Sequence, residues 1–320
     1  MQKGRTKGIF AALSSAAFLG VSPVLGKLAI NFGFTPLAVA AFRTVLAAGL
    51  IFIVMLLFFR PYLYIYPVGL IGCLLAGIIN GLGSILYYMA LERLNASVGQ
   101  TLYLVYPFFV ALWLILDHQP PSRLTIYRMG IAGLSLILIT ALPGNPADPI
   151  GIVMMLGAAA LYALHLPINQ RVLYEVPAPT VTLYTLIAMS VVVLPAYWIF
   201  DRQWIAPSAV WWPVLGLTFA TLLSRLSLFL GVKHIGGMQT ALLGLSELLV
   251  TILFSYLFLK ENLAWTQWLG AGGLGLSLLL VRLEEPRPTH GAGSGGWLAW
   301  IRPPDLPRDI PADIPWGPHE

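Results

Sequence analysis

The sequence predicts an all-α integral membrane protein with ten transmembrane helices arranged as two inverted five-helix repeats. Three observations support this fold class. The chain is 58% hydrophobic and only 10% charged, whereas a soluble domain carries about 25% charged residues. Ten apolar stretches are long enough to cross a bilayer as helices. The two halves also repeat the same order of spans and turns. Together these features exclude a soluble domain.

The ten stretches are separated by short connections that carry Pro, Gly, Asn and charged residues, as turns do. A helix bonds its backbone polar groups within the segment, so it can cross the hydrocarbon core where water is absent. The predicted spans are 8–29, 37–59, 67–90, 96–116, 124–142, 150–171, 180–200, 212–232, 238–259 and 263–281.

Basic residues flank the spans unevenly, and this predicts the orientation because Lys and Arg concentrate in cytoplasmic loops. If the N-terminus is cytoplasmic, the inside ends carry Lys3, Arg5, Lys7, Arg60, Arg123, Arg128, Arg171, Lys233, Arg282 and Arg287. The outside ends carry Lys27, Arg93, Arg202 and Lys260. We therefore predict a multi-pass protein of the cell membrane with both termini in the cytoplasm. This scattered placement also excludes a nucleic-acid-binding patch.

An internal repeat divides the chain. The segment "ALERLNASVGQTLYLVYPFFVAL" (90–112) aligns with "GVKHIGGMQTALLGLSELLVTIL" (231–253) at a constant offset of 141. Five spans in each half is an odd number, so the second half must enter the membrane from the opposite side. We predict a first half at 1–145, an inverted second half at 146–284, and a Pro- and Gly-rich cytoplasmic tail at 285–320 that is flexible.

Two inverted five-helix halves are an architecture of secondary transporters, which bind substrate between the halves at mid-membrane. Over about residues 8–283 the chain resembles the ten-helix EamA-type drug/metabolite transporters. The resemblance rests on Arg43 in "AFRTVLAA", on "ALERLNASVGQTLYLVYPFFVALWLIL", and on "LSELLVTILFSYLFLKENLAWTQWLGAGGLGLSLLL" with Glu261, Gln267 and Gly270. It implies transport rather than catalysis, and it is nearly silent on the substrate.

Arg225 lies in the apolar segment "LLSRLSLFL", where a charge needs compensation. It stands nine residues before the turn at His234, and Glu247 stands nine residues into the next span. Both lie roughly 13 Å deep by helical rise, so we predict an ion pair between them. One interpretation is purely structural. A role in a central cavity is favoured, because the positions 141 residues earlier hold Ser84 and Tyr106, which form no such pair. We include both as pathway candidates.

Other polar residues of the spans are candidates for the same pathway. Arg43 is either an interfacial anchor or a pathway residue, and the family resemblance favours the pathway. His165 could titrate near neutral pH, although a hydrogen bond within the bundle is the favoured alternative. Asn80 joins two helices or contacts a ligand, and the spacing of Gly77 and Gly81 around it indicates close helix packing.

We predict a secondary transporter that moves a small metabolite, such as an amino acid or a related zwitterion or anion, by alternating access. Glu247 is the predicted proton-coupling residue. Export is the favoured direction. The sequence does not distinguish ion-coupled transport from facilitated diffusion, and it does not decide whether the protein forms a homodimer. The alternatives are an intramembrane enzyme and a membrane scaffold without transport. The sequence shows no catalytic motif, P-loop or metal-ligand cluster, so the predicted partners are the metabolite and the lipid bilayer, with no cofactor or metal.

Overall fold

The computed structural model describes residues 2–94, 96–140, 148–201, 210–259, 265–283, 297–298 and 300–301. These residues form α-helices and two short 3-10 helices, at Arg60–Leu63 and Leu280–Leu283, and contain no strand. The α-helices are α1 (Gln2–Asn31), α2 (Pro36–Phe58), α3 (Pro67–Arg93), α4 (Ala96–Tyr103), α5 (Tyr106–Leu116), α6 (Arg123–Thr140), α7 (Pro149–Val172), α8 (Ala178–Phe200), α9 (Trp212–Ile235), α10 (Gly237–Gly244), α11 (Ser246–Leu259) and α12 (Trp265–Leu279).

The predicted all-helical membrane class is confirmed. Within the described part of the chain, seven helical segments are long and apolar enough to cross a membrane, and they match predicted spans one to four and six to eight. Predicted spans five, nine and ten correspond to α6, to α10 with α11, and to α12, which are helical but are not among the seven. Glu261 of the family motif lies outside the described residues.

Local sequence sets where several helices begin. The Thr35 hydroxyl accepts a hydrogen bond from the Ala38 amide at 3.2 Å, and Pro36 occupies the first turn of α2. Asp148 caps α7 in the same way through the Ile150 amide at 3.1 Å. These side chains satisfy amides that have no partner within the helix, and proline at the first position loses nothing because its nitrogen would have had no partner there.

Predicted spans four and nine are each interrupted. Span four consists of α4 and α5, with the break after Tyr103. Span nine consists of α10 and α11, with the break at Leu245. In the first, Pro107 lies in the opening turn of α5, where its missing N–H costs no helical bond. In the second, the Leu245 amide bonds to Leu242 instead of continuing the α-helical ladder. Each break therefore frees backbone groups in the middle of the bundle.

The two breaks meet. The Tyr106 hydroxyl, at the start of α5, donates a hydrogen bond to the Ala241 carbonyl of α10 at 3.0 Å. That carbonyl is one that the break leaves without its helical partner. Gly244 makes the approach possible, because a Cβ atom there would overlap the Tyr106 hydroxyl. The side chain of one interrupted helix thus satisfies the backbone of the other.

Small residues bring the remaining helices together. α1 packs along α9, α3 along α7 and α8, and α6 along α12. A Cβ atom on Gly77 would lie 2.6 Å from the Thr185 carbonyl, and one on Gly81 would lie 2.9 Å from Val192. The predicted close packing at these two glycines is confirmed, and it holds α3 and its Asn80 side chain against α8.

Candidate functional site

A cavity of about 50 Å³ lies between α1, α2, α3, α4, α7, α9 and α11, next to the break that precedes α11. A space of this size holds a few water molecules. Its walls combine charged, polar and tyrosine side chains. The lining residues are Leu19, Ser22, Arg43, Asn80, Gly83, Ser84, Tyr87, Tyr88, Gln100, Tyr103, Tyr162, Arg225 and Glu247. The cavity draws on both halves of the chain.

Arg43 is 8% exposed and lines the cavity. Its Nη1 donates to the Thr221 hydroxyl at 3.1 Å, and its Nη2 donates to Ser84 at 2.7 Å. The guanidinium also lies over the Tyr88 ring, 4.9 Å from the centroid. All of these partners are neutral. They orient the guanidinium, and no carboxylate of the described residues lies within 4 Å of it.

Arg225 is 6% exposed and is also held by neutral groups. The Asn80 amide, oriented with its oxygen towards the guanidinium, accepts from Nη2 at 2.7 Å and from Nη1 at 2.9 Å. His165 Nε2 lies 3.0 Å from Nη1, and the Tyr162 ring centroid lies 5.6 Å from the guanidinium carbon. Asn80 and His165 therefore position Arg225, and His165 does not line the cavity itself.

The contact with Arg225 defines the protonation of His165. A guanidinium can only donate hydrogen bonds, so the facing His165 Nε2 must accept and carries no proton. The proton is then on Nδ1, which donates to the Tyr162 carbonyl. A doubly protonated imidazole would present two donors and lose the contact with Arg225. The favoured expectation of a hydrogen-bonded histidine within the bundle agrees with this geometry.

Glu247 is 2% exposed and stands in the first turn of α11. Its Oε2 accepts a hydrogen bond from Gln100 Nε2 at 3.1 Å, and Gln100 Oε1 accepts from the Tyr87 hydroxyl at 3.1 Å. A carboxylate at the start of a helix is also favoured by the helix dipole. The carboxylate is therefore tied to α4 and α3 through a chain of neutral groups.

The predicted ion pair between Arg225 and Glu247 is wrong. Both residues line the cavity, but no N–O distance between them is within 4 Å, and each side chain bonds to other groups. Equal spacing from a turn does not give the rotation of each helix about its axis, so it does not establish that two side chains touch.

Of the other predicted site residues, Ser84 lies at the cavity and bonds Arg43, whereas Tyr106 lies behind the lining. Its ring packs against Tyr162 at a centroid distance of 4.9 Å and edge-on. The sequence analysis missed Gln100 and Thr221, the groups that hold Glu247 and Arg43. Gln100 is an amide inside an apolar span, which is a signal that could have identified it.

Tyrosines form one continuous side of the cavity. Tyr103 packs against Tyr87 at 5.0 Å and against Tyr162 at 5.3 Å between ring centroids. Tyrosine rings supply apolar surface for a ligand and hydroxyl groups for hydrogen bonds. No group of three or more His, Cys, Asp or Glu side chains in the described parts of the chain could hold a metal ion. The groups at this site suit the binding of a small polar molecule.

Comparisons with known proteins agree with this architecture. The family model of the EamA-like transporter family matches residues 6–141 and again residues 149–283. The chain belongs to the EamA-like transporter family. It is thus a multi-pass membrane transporter and not an enzyme, as the sequence resemblance implied. The two matches fall on the two predicted halves.

Similar transporters occur in bacteria. The chain is 23% identical over 284 residues to the uncharacterized transporter YwfM of Bacillus subtilis, covering 87% of this chain and 94% of that protein. It is 24% identical over 237 residues to the uncharacterized transporter sll1319 of Synechocystis, covering 70% and 69%. A crystal structure with 16% identity matches with a TM-score of 0.67 and covers 89% of this chain and all of that chain. This last likeness concerns the fold alone.

Proposed function

We propose that this transporter is a secondary transporter of the cell membrane with ten spans in two inverted five-helix halves. It exposes the central cavity alternately to the two sides and exports a small metabolite that carries an anionic group, such as an amino acid. The observation that carries the substrate proposal is the charge of the cavity, where two buried guanidinium groups and one carboxylate share the lining without a direct ion pair.

The helix breaks support the two-halves arrangement. α4 spans Ala96–Tyr103 and α10 spans Gly237–Gly244. The first and last residues of α10 therefore lie 141 positions after the first and last residues of α4. This is the offset found in the sequence. Helices also pack across the halves in a reciprocal way. The first span of the first half (α1) packs against the third span of the second half (α9), and the third span of the first half (α3) packs against the first span of the second half (α7). A two-fold relation between the halves produces such exchanged pairs.

The proposed orientation places both termini in the cytoplasm. The start of α1 contacts the end of α9, since Gly8 lies against His234 and Ile235. α12 runs antiparallel to α6 and ends at the same end of the bundle, near Arg128, whose carbonyl accepts a hydrogen bond from Ser277. We call this the N-terminal end of the bundle. The excess of flanking basic residues on this side supports a cytoplasmic location.

The charge of the cavity favours a substrate with a carboxylate. Burying a cation without a counter-charge is costly, and a bound anion would offset that cost. The Nε atoms of Arg43 and Arg225 are buried and have no hydrogen-bond partner among the described residues. Guanidinium groups bind carboxylates through paired N–H donors. An ammonium group of the same substrate could then face Glu247.

The test is a thermal-shift panel on the purified protein. We expect α-amino acids to raise the melting temperature, and their amides and esters, which lack the carboxylate, to give little or no shift. Arg225→Gln should abolish the ligand shift, whereas the control Arg93→Gln should retain it, because Arg93 is at the bundle end and 44% of its side chain is exposed. Counterflow in proteoliposomes with the amino acid that gives the largest shift then measures transport.

Several outcomes would overturn the proposal. Quaternary ammonium compounds that stabilise the protein as strongly as amino acids, and in an Arg225-independent way, would exclude an anionic substrate. Chemical conversion of a ligand, or binding without any flux, would favour the enzyme or scaffold alternatives. An outward flux that exceeds the inward flux in vesicles of defined orientation tests the proposed export.

A further inference from the structure

The described residues of the C-terminal tail are docked on the bundle. Leu298 is 0% exposed, Ile301 is 3% exposed, and both belong to the main hydrophobic core. The Trp297 ring lies 6.2 Å from the Trp113 ring, and the Ile301 amide closes a turn onto the Leu298 carbonyl at 3.0 Å. We call Trp297, Leu298, Trp300 and Ile301 the docked segment. For these four residues the structure differs from the prediction of a flexible tail. The rest of 285–320 lies outside the described residues.

A single buried carboxylate anchors the docked segment. Asp117, at the end of α5, accepts a hydrogen bond from the Leu298 amide through Oδ1 at 3.1 Å. Its Oδ2 accepts from Arg171 Nη2 at 2.8 Å and Nε at 3.1 Å, and from Gln119 at 3.1 Å. Both charged side chains are 1% exposed. A charge-assisted hydrogen bond in a buried site is among the stronger contacts available to a chain segment.

This anchor lies across the boundary between the halves. Asp117 belongs to the first half and Arg171, on α7, belongs to the second. A second contact nearby also crosses this boundary, because Gln170 Nε2 of the second half donates a hydrogen bond to Gln119 Oε1 of the first half at 3.4 Å. An opening at the N-terminal end that separates α5 from α7 has to break the Asp117–Arg171 pair.

We infer that the docked segment is a built-in latch that keeps the N-terminal end of the bundle closed. It adds buried Leu298 and Ile301 side chains and a hydrogen bond to the same carboxylate that joins the halves. The family match ends at residue 283, so the latch lies outside the part of the chain that defines the family. The occupant of this surface is the chain's own tail, and its release favours the open state.

The inference rests on the proposed alternating access, so its test has a readout that needs no substrate. Cys73 is the chain's one cysteine and is 0% exposed. Its neighbour Gly72 lies between the docked segment and α7, with Ile301 at 3.7 Å from a Cβ placed on it. The rate at which N-ethylmaleimide modifies Cys73 therefore reports opening at this end.

The test compares the full chain with Leu298→Asp, which adds a negative charge beside Asp117, and with a truncation after residue 284. We expect both to speed Cys73 labelling by about 3- to 10-fold, as a local opening free energy falls. Amide hydrogen exchange at 117–119 and 236–240 should rise in parallel, while the Arg93–Asp148 end stays unchanged. Trp300→Gln is the matched control, because Trp300 is in the same segment but 49% exposed.

Unchanged labelling and exchange in both variants would overturn the latch. An equal effect of Trp300→Gln would also overturn it, since a general loss of tail contact with lipid would then explain the result. Faster amino-acid counterflow in Leu298→Asp supports the latch. A third outcome separates the two proposals. If counterflow is absent from every protein, including the unmodified chain, but labelling still responds to Leu298→Asp, then the proposed function fails and the latch stands.

Discussion

Two buried arginines of this transporter have opposite surroundings. Arg171, at the N-terminal end of the bundle, is 3% exposed and donates two hydrogen bonds to the Asp117 carboxylate. Arg225, at the cavity, is 6% exposed; it hydrogen-bonds to Asn80 and His165 and lies beside the Tyr162 ring. Among the described residues a carboxylate contacts the first cation and none contacts the second. This difference is what the proposed binding of an anionic substrate at the cavity requires.

The two buried carboxylates differ in the same way. Asp117 accepts from Arg171, Gln119 and the Leu298 amide, so both of its oxygens are engaged. Glu247 accepts from Gln100, a neutral amide. Asp117 is thus fixed in position by an ion pair and by hydrogen bonds to both oxygens, whereas Glu247 contacts no cation among the described residues.

The largest expected effect is on stability and comes from Asp117→Asn. It leaves Arg171 buried without its counter-charge, and breaking a buried pair in this way costs about 3–5 kcal/mol. Replacing both partners, as in Asp117→Leu with Arg171→Met, should cost less than Asp117→Leu alone or Arg171→Met alone. Denaturation in detergent measures all variants, and the double-mutant cycle gives the coupling.

The same cycle on Arg225 and Glu247 sharpens the comparison. Because these side chains form no ion pair or hydrogen bond with each other, their coupling should be smaller than that of Asp117 and Arg171. A coupling as large as that of Asp117 and Arg171 would mean that the two cavity residues do form an ion pair and that the contrast between the regions does not exist.

A smaller expected effect on stability, with a specific effect on transport, comes from Glu247→Gln. Glutamine keeps a side-chain carbonyl to accept from Gln100 but cannot exchange a proton. We expect substrate binding and substrate-for-substrate exchange to persist, while uptake driven by an imposed pH gradient is lost. Glu92→Gln is the control, since Glu92 is an exposed carboxylate at the end of α3. Gradient-driven uptake that survives Glu247→Gln would place the coupling group elsewhere, with His165 the next residue to test.

The sequence predicts which residues share a cavity better than it predicts their contacts. Arg43, Asn80, Ser84, Arg225 and Glu247 line one cavity, and each stands out in the sequence as a polar residue inside an apolar span. The partners of Arg225 and Glu247 depend on helix rotation and on which helices are neighbours, and an apolar bundle has no clear hydrophobic face from which to read them.

The break before α11 and the ion pair at the bundle end could not be predicted from the sequence, for related reasons. The break before α11 has no proline, and it is stabilised by Tyr106 from the other half, 135 residues away in the chain. Asp117 and Arg171 are 54 residues apart and come from different halves. Their pairing follows from tertiary packing, and local propensity carries no information about it.

The smallest expected effect concerns the exposed pair of Arg93 and Asp148 at the opposite end of the bundle. Their side chains are 44% and 31% exposed, and Arg93 Nη1 donates to Asp148 at 3.0 Å. The hydrogen bond from Arg93, and then that from the Ile150 amide, hold the pKa of Asp148 below its usual value. Exposed pairs contribute little because water and salt screen them. Asp148→Asn should therefore lower the melting temperature much less than Asp117→Asn, since asparagine still caps α7.

The pH dependence of that small effect has a definite sign. A carboxyl whose pKa is lower in the folded state contributes stability above its unfolded pKa and loses it as the pH falls through the folded value. The difference in melting temperature between the unmodified protein and Asp148→Asn should thus be present at pH 7, shrink below about pH 4, and shrink in 1 M salt at neutral pH. A difference that grows on acidification, or that matches the loss in Asp117→Asn, would mean that exposure does not separate the structural pairs of this transporter from its weak ones.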